Sequence, residues 1–145
     1  MLVNIKFEVV KPTNKQIEIL YNQLRERKYS ISHNILPDFE QHKLFVTNNP
    51  YRLWYIVRLD DEACGNVYYN HDNSISLNGL EELDLSIFKR ILIIVFEKLQ
   101  PLSPIPSVRY KNFFFNVAVN NIMLQNKLKE LGYIKIQETY ISDNK

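Results

Sequence analysis

Between residues 81 and 90 the chain reads EELDLSIFKR, which sets Glu81, Glu82 and Asp84 at the entrance of an apolar helix and Lys89 and Arg90 one turn inside it. A carboxylate in that position can hold an amine or accept its proton, and Glu81 is the candidate for contact with such a substrate. The same acids are also the residues that cap and polarise a helix N-terminus. Lys89 and Arg90 either reach a phosphate near the helix entrance or form its solvated face. A backbone cradle for phosphate usually needs glycines, and here only Gly79 is at hand. Tyr51, Trp54, Tyr55, Tyr68 and Tyr69 alternate along a predicted strand pair. Those on one face could line a substrate cleft, with Tyr68 and Tyr69 as the candidates; Trp54 reads as core.

Other reactive side chains point to less. His33, His42 and His71 have no helical ligand spacing and no acid at motif distance, and Cys64 is the single cysteine, so no metal site is expected. A catalytic thiol needs a partnered base, and the sequence offers Cys64 none. A net charge of +2 with scattered Lys and Arg argues against nucleic acid as a partner. The longest apolar run, Ile91 to Phe96, falls far short of the roughly 20 residues of a membrane span. No secretory leader is visible at the start, so a cytoplasmic location is expected. With 145 residues, 46% of them apolar, one domain over residues 1–145 is the expectation.

The elements that must position these residues follow from periodicity. A strand is expected from Ile5 to Val10, then a helix from Asn14 to Arg27 behind the capping-box spacing Thr13 to Gln16. A second helix is expected from Pro37, with proline in its first turn, to about Asn48. Tyr51 to Asp60 reads as a strand, Asp60 to Gly65 as a hairpin turn, Asn66 to Tyr69 as the return strand and Ser74 to Leu77 as a third strand. Leu85 to Leu99 is a helix buried along one side. Phe113 to Val119 reads as a buried strand, Ile122 to Leu131 as a helix with Asn121 at its N-cap and Gly132 ending it, and Tyr133 to Ile141 as a last strand. The order β, α, α, β, β, β, α, β, α, β predicts an α/β protein with a mixed sheet and helices on both faces.

In this order the segments FEQHKLFVTNNPYRLWYIVRLDDEACGNVYY and FFFNVAVNNIMLQNKLKELGYIKIQETY resemble the GCN5-related N-acetyltransferase (GNAT) superfamily over nearly the whole chain. The most specific likeness is Asn121, a helix, then Leu131-Gly132-Tyr133; Asn49 to Ile56 with Gly65 to Tyr68 resembles a bacterial branch. The resemblance implies a mostly antiparallel central sheet and acyl transfer from acetyl-CoA to an amine of a small molecule or protein. It also implies that Ser76, Leu77 and Asn78 meet the cofactor's pantetheine arm and that Asn121 lies at the cofactor site. The family's glycine-rich phosphate loop has no counterpart in Leu80 to Lys89, which implies weak or absent acetyl-CoA binding. The family's proton-donating tyrosine falls at Leu128. A non-catalytic binding or protein-interaction module on the same scaffold is the alternative.

Overall fold

A computed structural model describes residues 2–30 and 35–142. The elements are β1 (Ile5–Val9), α1 (Asn14–Glu26), α2 (Phe39–Thr47), β2 (Leu53–Leu59), β3 (Glu62–Tyr69), β4 (Ser74–Asn78), α3 (Leu85–Lys98), β5 (Phe114–Phe115) and α4 (Ile122–Glu130). The strands form one sheet in the order β1-β2-β3-β4-β5, antiparallel throughout except for the parallel pair β4–β5. Sequence-neighbour strands thus meander to β4, and α3 carries the chain over to β5.

Strand alternation divides the core into two layers. Tyr55, Val57, Val67, Tyr69, Ile75 and Leu77 point to one face, where Phe88, Ile91, Leu92 and Val95 of α3 and Leu124 and Leu128 of α4 cover them. Trp54 and Ile56 point to the other, against Ile17 and Leu20 of α1 and Val46 of α2. The expected mixed sheet with helices on both faces is therefore present.

Several local expectations change. Gln16 does not close a box on Thr13: its Oε1 accepts from the Lys11 N–H at 2.6 Å, and its Nε2 donates to Glu8 and Val9. Thr13 Oγ1 still accepts from the Gln16 N–H. Helix α2 starts at Phe39, two residues later than expected, with Asp38 as N-cap in a complete capping box with Gln41 and Pro37 outside the helix. The β2–β3 hairpin turns on Asp60 and Asp61 alone, both at positive φ (48° and 71°) as a tight primed turn requires. Gly65 lies inside β3 because a Cβ there would stand 2.3 Å from Asn78 O and 2.7 Å from Leu80 Cδ2. It serves close packing rather than a turn.

The largest differences come at the end of the chain. The expected strand Phe113 to Val119 shrinks to Phe114–Phe115, because the chain leaves β4 after two register pairs, Ser74 with Phe114 and Ile75 with Phe115. Tyr133 to Ile141 is not a strand among the described residues, although its alternation is that of one. Helix α4 ends as expected: Gly132 takes φ +91° after Leu131.

Candidate functional site

The divergence of β4 and β5 opens one side of β4. Beyond Ile75, the residues Ser76, Leu77 and Asn78 continue β4 with no β5 partner. The Phe114 N–H donates to Asn73 O on the β5 side, and the Asn70 N–H to Ser74 O on the β3 side. By alternation the backbone of Leu77 faces the opened side. Its side chain is buried in the α3 layer, whereas Ser76 and Asn78 belong to the α1 face.

On that α1 face lies a cleft of ≈ 350 Å³ lined by Gln23, Tyr51, Asn66, Tyr68, Asn78 and Glu81 among others. A chain of amides lies along it. Asn66 Oδ1 accepts from Trp54 Nε1 and from Asn78 Nδ2, both at 3.1 Å. Asn66 Nδ2 donates to Gln23 Oε1 at 2.8 Å, and Gln23 Nε2 donates to Gly65 O at 3.3 Å. Every buried side-chain nitrogen and oxygen among the described residues has a partner, so this polar strip is held in one arrangement. Tyr51 stacks on Tyr68 with ring centroids 3.7 Å apart. Burial first, and the neighbouring Tyr68 second, push the Tyr51 phenol far above the ordinary tyrosine range. Burial pushes the Cys64 thiol up to about 11, which keeps it a thiol near neutral pH.

The acids at the α3 entrance all have partners. Asp84 is the N-cap, accepting from the Ile87 N–H at 3.0 Å and from Ser86 Oγ at 2.8 Å. Glu82 pairs with Lys28 at 2.9 Å on the surface. Glu81 accepts from Asn121 Nδ2 at 3.2 Å. That bond ties the chain following β4 to the chain following β5, across the opening between them.

The residues singled out in the sequence divide accordingly. Tyr68, Asn78 and Glu81 line the cleft, Ser76 bonds to Asn78 at 3.4 Å, and Asn121 bonds to Glu81. Tyr69 is fully buried on the opposite face, where its hydroxyl donates to Val95 O at 2.7 Å, so it does not line the cleft. Arg90 is held by Val3 O at 2.8 Å, and Lys89 is exposed on α3. His42 is buried with Nε2 at 3.0 Å from Ile17 O, and burial lowers its pKa. His71 is exposed, and His33 lies outside the described residues. No group of three or more His, Cys, Asp or Glu gathers as metal ligands among the described residues. No described helix is long and apolar enough to cross a membrane.

Sequence reasoning missed Gln23 and Asn66. Their signals were a polar residue in the otherwise apolar run Gly65 to Tyr69, and a glutamine on the α1 face that also carries Leu20 and Leu24.

The fold has counterparts in solved structures. Spermidine N-acetyltransferase from Vibrio cholerae, a dodecamer, superposes with a TM-score of 0.57 at 14% identity, over 94% of this chain and 85% of that one. This is a GNAT-like fold. A "possible acetyltransferase" from Clostridium difficile 630 gives a TM-score of 0.54 at 11% identity, over 95% of each chain. No protein-family model and no curated protein matches the sequence. The GNAT-like scaffold places the opening between β4 and β5 on one side of β4 and the tyrosine-lined cleft along its α1 face.

Proposed function

We propose that the chain transfers an acyl group from acyl-CoA to an amine, holding the thioester arm along β4 and the acceptor in the cleft beside Tyr68 and Glu81. The observation that carries this is the end of β4–β5 pairing at Ile75 and Phe115, which leaves Ser76 to Asn78 open as a backbone edge. An extended pantetheine arm can pair with such an edge as an added strand does. The amine nitrogen forms the new amide bond as the thioester C–S bond breaks and the thiolate departs. In this reading Glu81, which lines the cleft, takes the ammonium proton, and positioning supplies most of the rate. Leu128 is buried in the α4 layer and has no proton to give, so the departing thiolate takes, through solvent, the second proton that the nitrogen sheds as it becomes an amide.

Phosphate contacts in this reading are weak. The Ile87 N–H and Ser86 hydroxyl already serve Asp84, the Lys28 ammonium serves Glu82, and the Asn121 amide serves Glu81. Donors that a diphosphate would use thus face the protein's own carboxylates. Calorimetric titration with acetyl-CoA and with S-acetylpantetheine, which lacks the diphosphate, tests this. Similar dissociation constants, within about threefold and near millimolar, are expected. A low-micromolar constant for acetyl-CoA, lost in S-acetylpantetheine, would overturn the weak-phosphate part.

The locked entrance also favours a second reading, a non-catalytic module using the same cleft. No heat with either thioester ligand, with no acyl transfer to any amine supplied, would select it.

A further inference from the structure

The cleft beside Tyr68 and Glu81 holds charges of both signs, and they are not equally engaged. Lys28 and Glu82 neutralise each other at 2.9 Å, and Glu81 accepts from Asn121. Arg27 lines the same cleft, and its guanidinium has neither a hydrogen-bond nor an ion-pair partner among the described residues. Its place follows from the sequence of α1. Gln23 crosses to Asn66 and Gly65, which turns that face of α1 toward β3, and the residues three and four further on, Glu26 and Arg27, share the face. The helix stops there: the Arg27 backbone is extended, and its N–H donates to Leu24 O at 3.3 Å. The backbone of Arg27 is thus fixed while its side chain stays exposed. Of the charged side chains lining the cleft, it is Arg27 that acts on the tyrosine stack. Burial first and Tyr68 next raise the Tyr51 phenol, and the Arg27 guanidinium opposes them.

The two chemistries belong to different stations along the sheet. Tyr51 stacks on Tyr68, whose register partner on β4 is Ser76, whereas Glu81 follows Asn78, whose partner on β3 is Asn66. Two residues of strand separate those stations, about 7 Å. An amine presented to Glu81 can therefore carry a second group some carbons away beside Tyr51, where Arg27 favours an anion. A carboxylate suits a guanidinium, which binds it through two parallel N–H···O bonds. A second ammonium in that place would meet like charge, and an uncharged tail would leave Arg27 unanswered. The cleft volume of ≈ 350 Å³ is near the lower end for ligand pockets, which fits a small molecule. We propose, resting on the acyl-transfer reading above, that the acceptor is a small amine bearing a carboxylate a few carbons from its nitrogen, and that Arg27 is the residue that selects it.

Three amines of equal chain length separate the possibilities: 5-aminopentanoate, pentylamine and 1,5-diaminopentane, each assayed with acetyl-CoA by release of the free thiol. The kcat/KM for 5-aminopentanoate should exceed the other two by about tenfold or more, the worth of one charge-assisted pair at an accessible site. Arg27→Gln should erase that preference through KM, and Arg27→Lys should restore part of it, because lysine keeps the charge without the planar fork. Equal kcat/KM for the three amines overturns the proposal, and so does a preference that survives Arg27→Gln. A preference for the diamine overturns it as well, giving the Glu26 carboxylate the deciding role. An Arg27→Gln variant that loses affinity for acetyl-CoA alone has the same consequence. If no amine is acylated, the acyl-transfer reading fails on its own, and calorimetric titration with 5-aminopentanoate decides the ligand. Binding by wild type about tenfold tighter than by Arg27→Gln upholds the charge match, and equal or absent binding overturns it.

Discussion

Two strand-to-helix entrances stand side by side in this molecule, one leading from β4 through Gly79 into α3 and one leading from β5 into α4. Each is capped by a short polar side chain on the third helical N–H, Asp84 on Ile87 and Asn121 on Leu124. Asp84 lies at the surface, where a carboxylate keeps its water and costs nothing to hold charged. Asn121 is buried, and its amide accepts from α4 with Oδ1 while donating to Glu81 with Nδ2. A buried cap has to be neutral and satisfied at both ends, whereas an exposed one needs only to accept. The same local rule thus gives a simple helix start at α3 and a cross-tie between two diverging chains at α4.

The most disruptive way to break the first entrance is Gly65→Ala, since the new Cβ would meet Asn78 O and Leu80 Cδ2 at 2.3 and 2.7 Å. A loss of about 3 kcal/mol is expected by urea denaturation, at the upper end for overpacking. A loss below about 1 kcal/mol would mean that β4 yields and the entrance is not held by this contact. At the second entrance, Asn121→Ala should cost about 2 kcal/mol, roughly half from the cap and half from the Glu81 bond.

Exchanging acid and amide sharpens the contrast. Asn121→Asp keeps the cap but sets a carboxylate against Glu81, so its denaturation midpoint should fall nearly as far as that of the alanine variant. Asp84→Asn should leave the midpoint at neutral pH nearly unchanged. Equal midpoints for the two exchanges would remove the distinction. At the other end of α4, Gly132→Ala meets no neighbour within 4 Å and pays only for its φ of +91°, about 1 kcal/mol.

The smallest effect is one of pH. The Ile87 N–H first, and the Ser86 hydroxyl second, hold the Asp84 carboxyl below its ordinary value of 3.8. A lowered folded-state pKa means that this contribution is complete above 3.8 and fades as pH falls through the folded value. Between about pH 4 and 2, Asp84→Asn should therefore flatten the decline of the urea midpoint, while the Asn121 cap adds no slope of its own. Parallel declines in wild type and Asp84→Asn would show that the cap bond is not formed in solution.

Much of the scaffold was legible in advance because local rules decide it. Asp84, Asn121 and Gly132 could be placed at helix ends from residue type and neighbouring periodicity alone. The aromatic alternation from Leu53 to Tyr69 announced the hairpin, although the turn fell on two aspartates. The site was less legible. Tyr68 and Tyr69 look equivalent in sequence, yet a strand sends neighbours to opposite faces, so one lines the cleft and the other bonds to Val95 in the core. Arg90 looked free for an anion until Val3 came within 2.8 Å, a contact across 87 residues.

By itself the sequence determined the element order, the helix caps, the two-faced sheet and the lack of any glycine between Leu80 and Lys89, all properties of residue type at short range. Tertiary structure alone decided where β5 leaves β4, which polar side chains meet across the sheet at Asn66, and that Glu81 is held by Asn121. It also decided that residues 133–141, a strand by pattern, lack a strand's backbone partner within the described chain. Pattern records what a segment can bury or cap; pairing depends on a second segment whose position only the folded chain supplies.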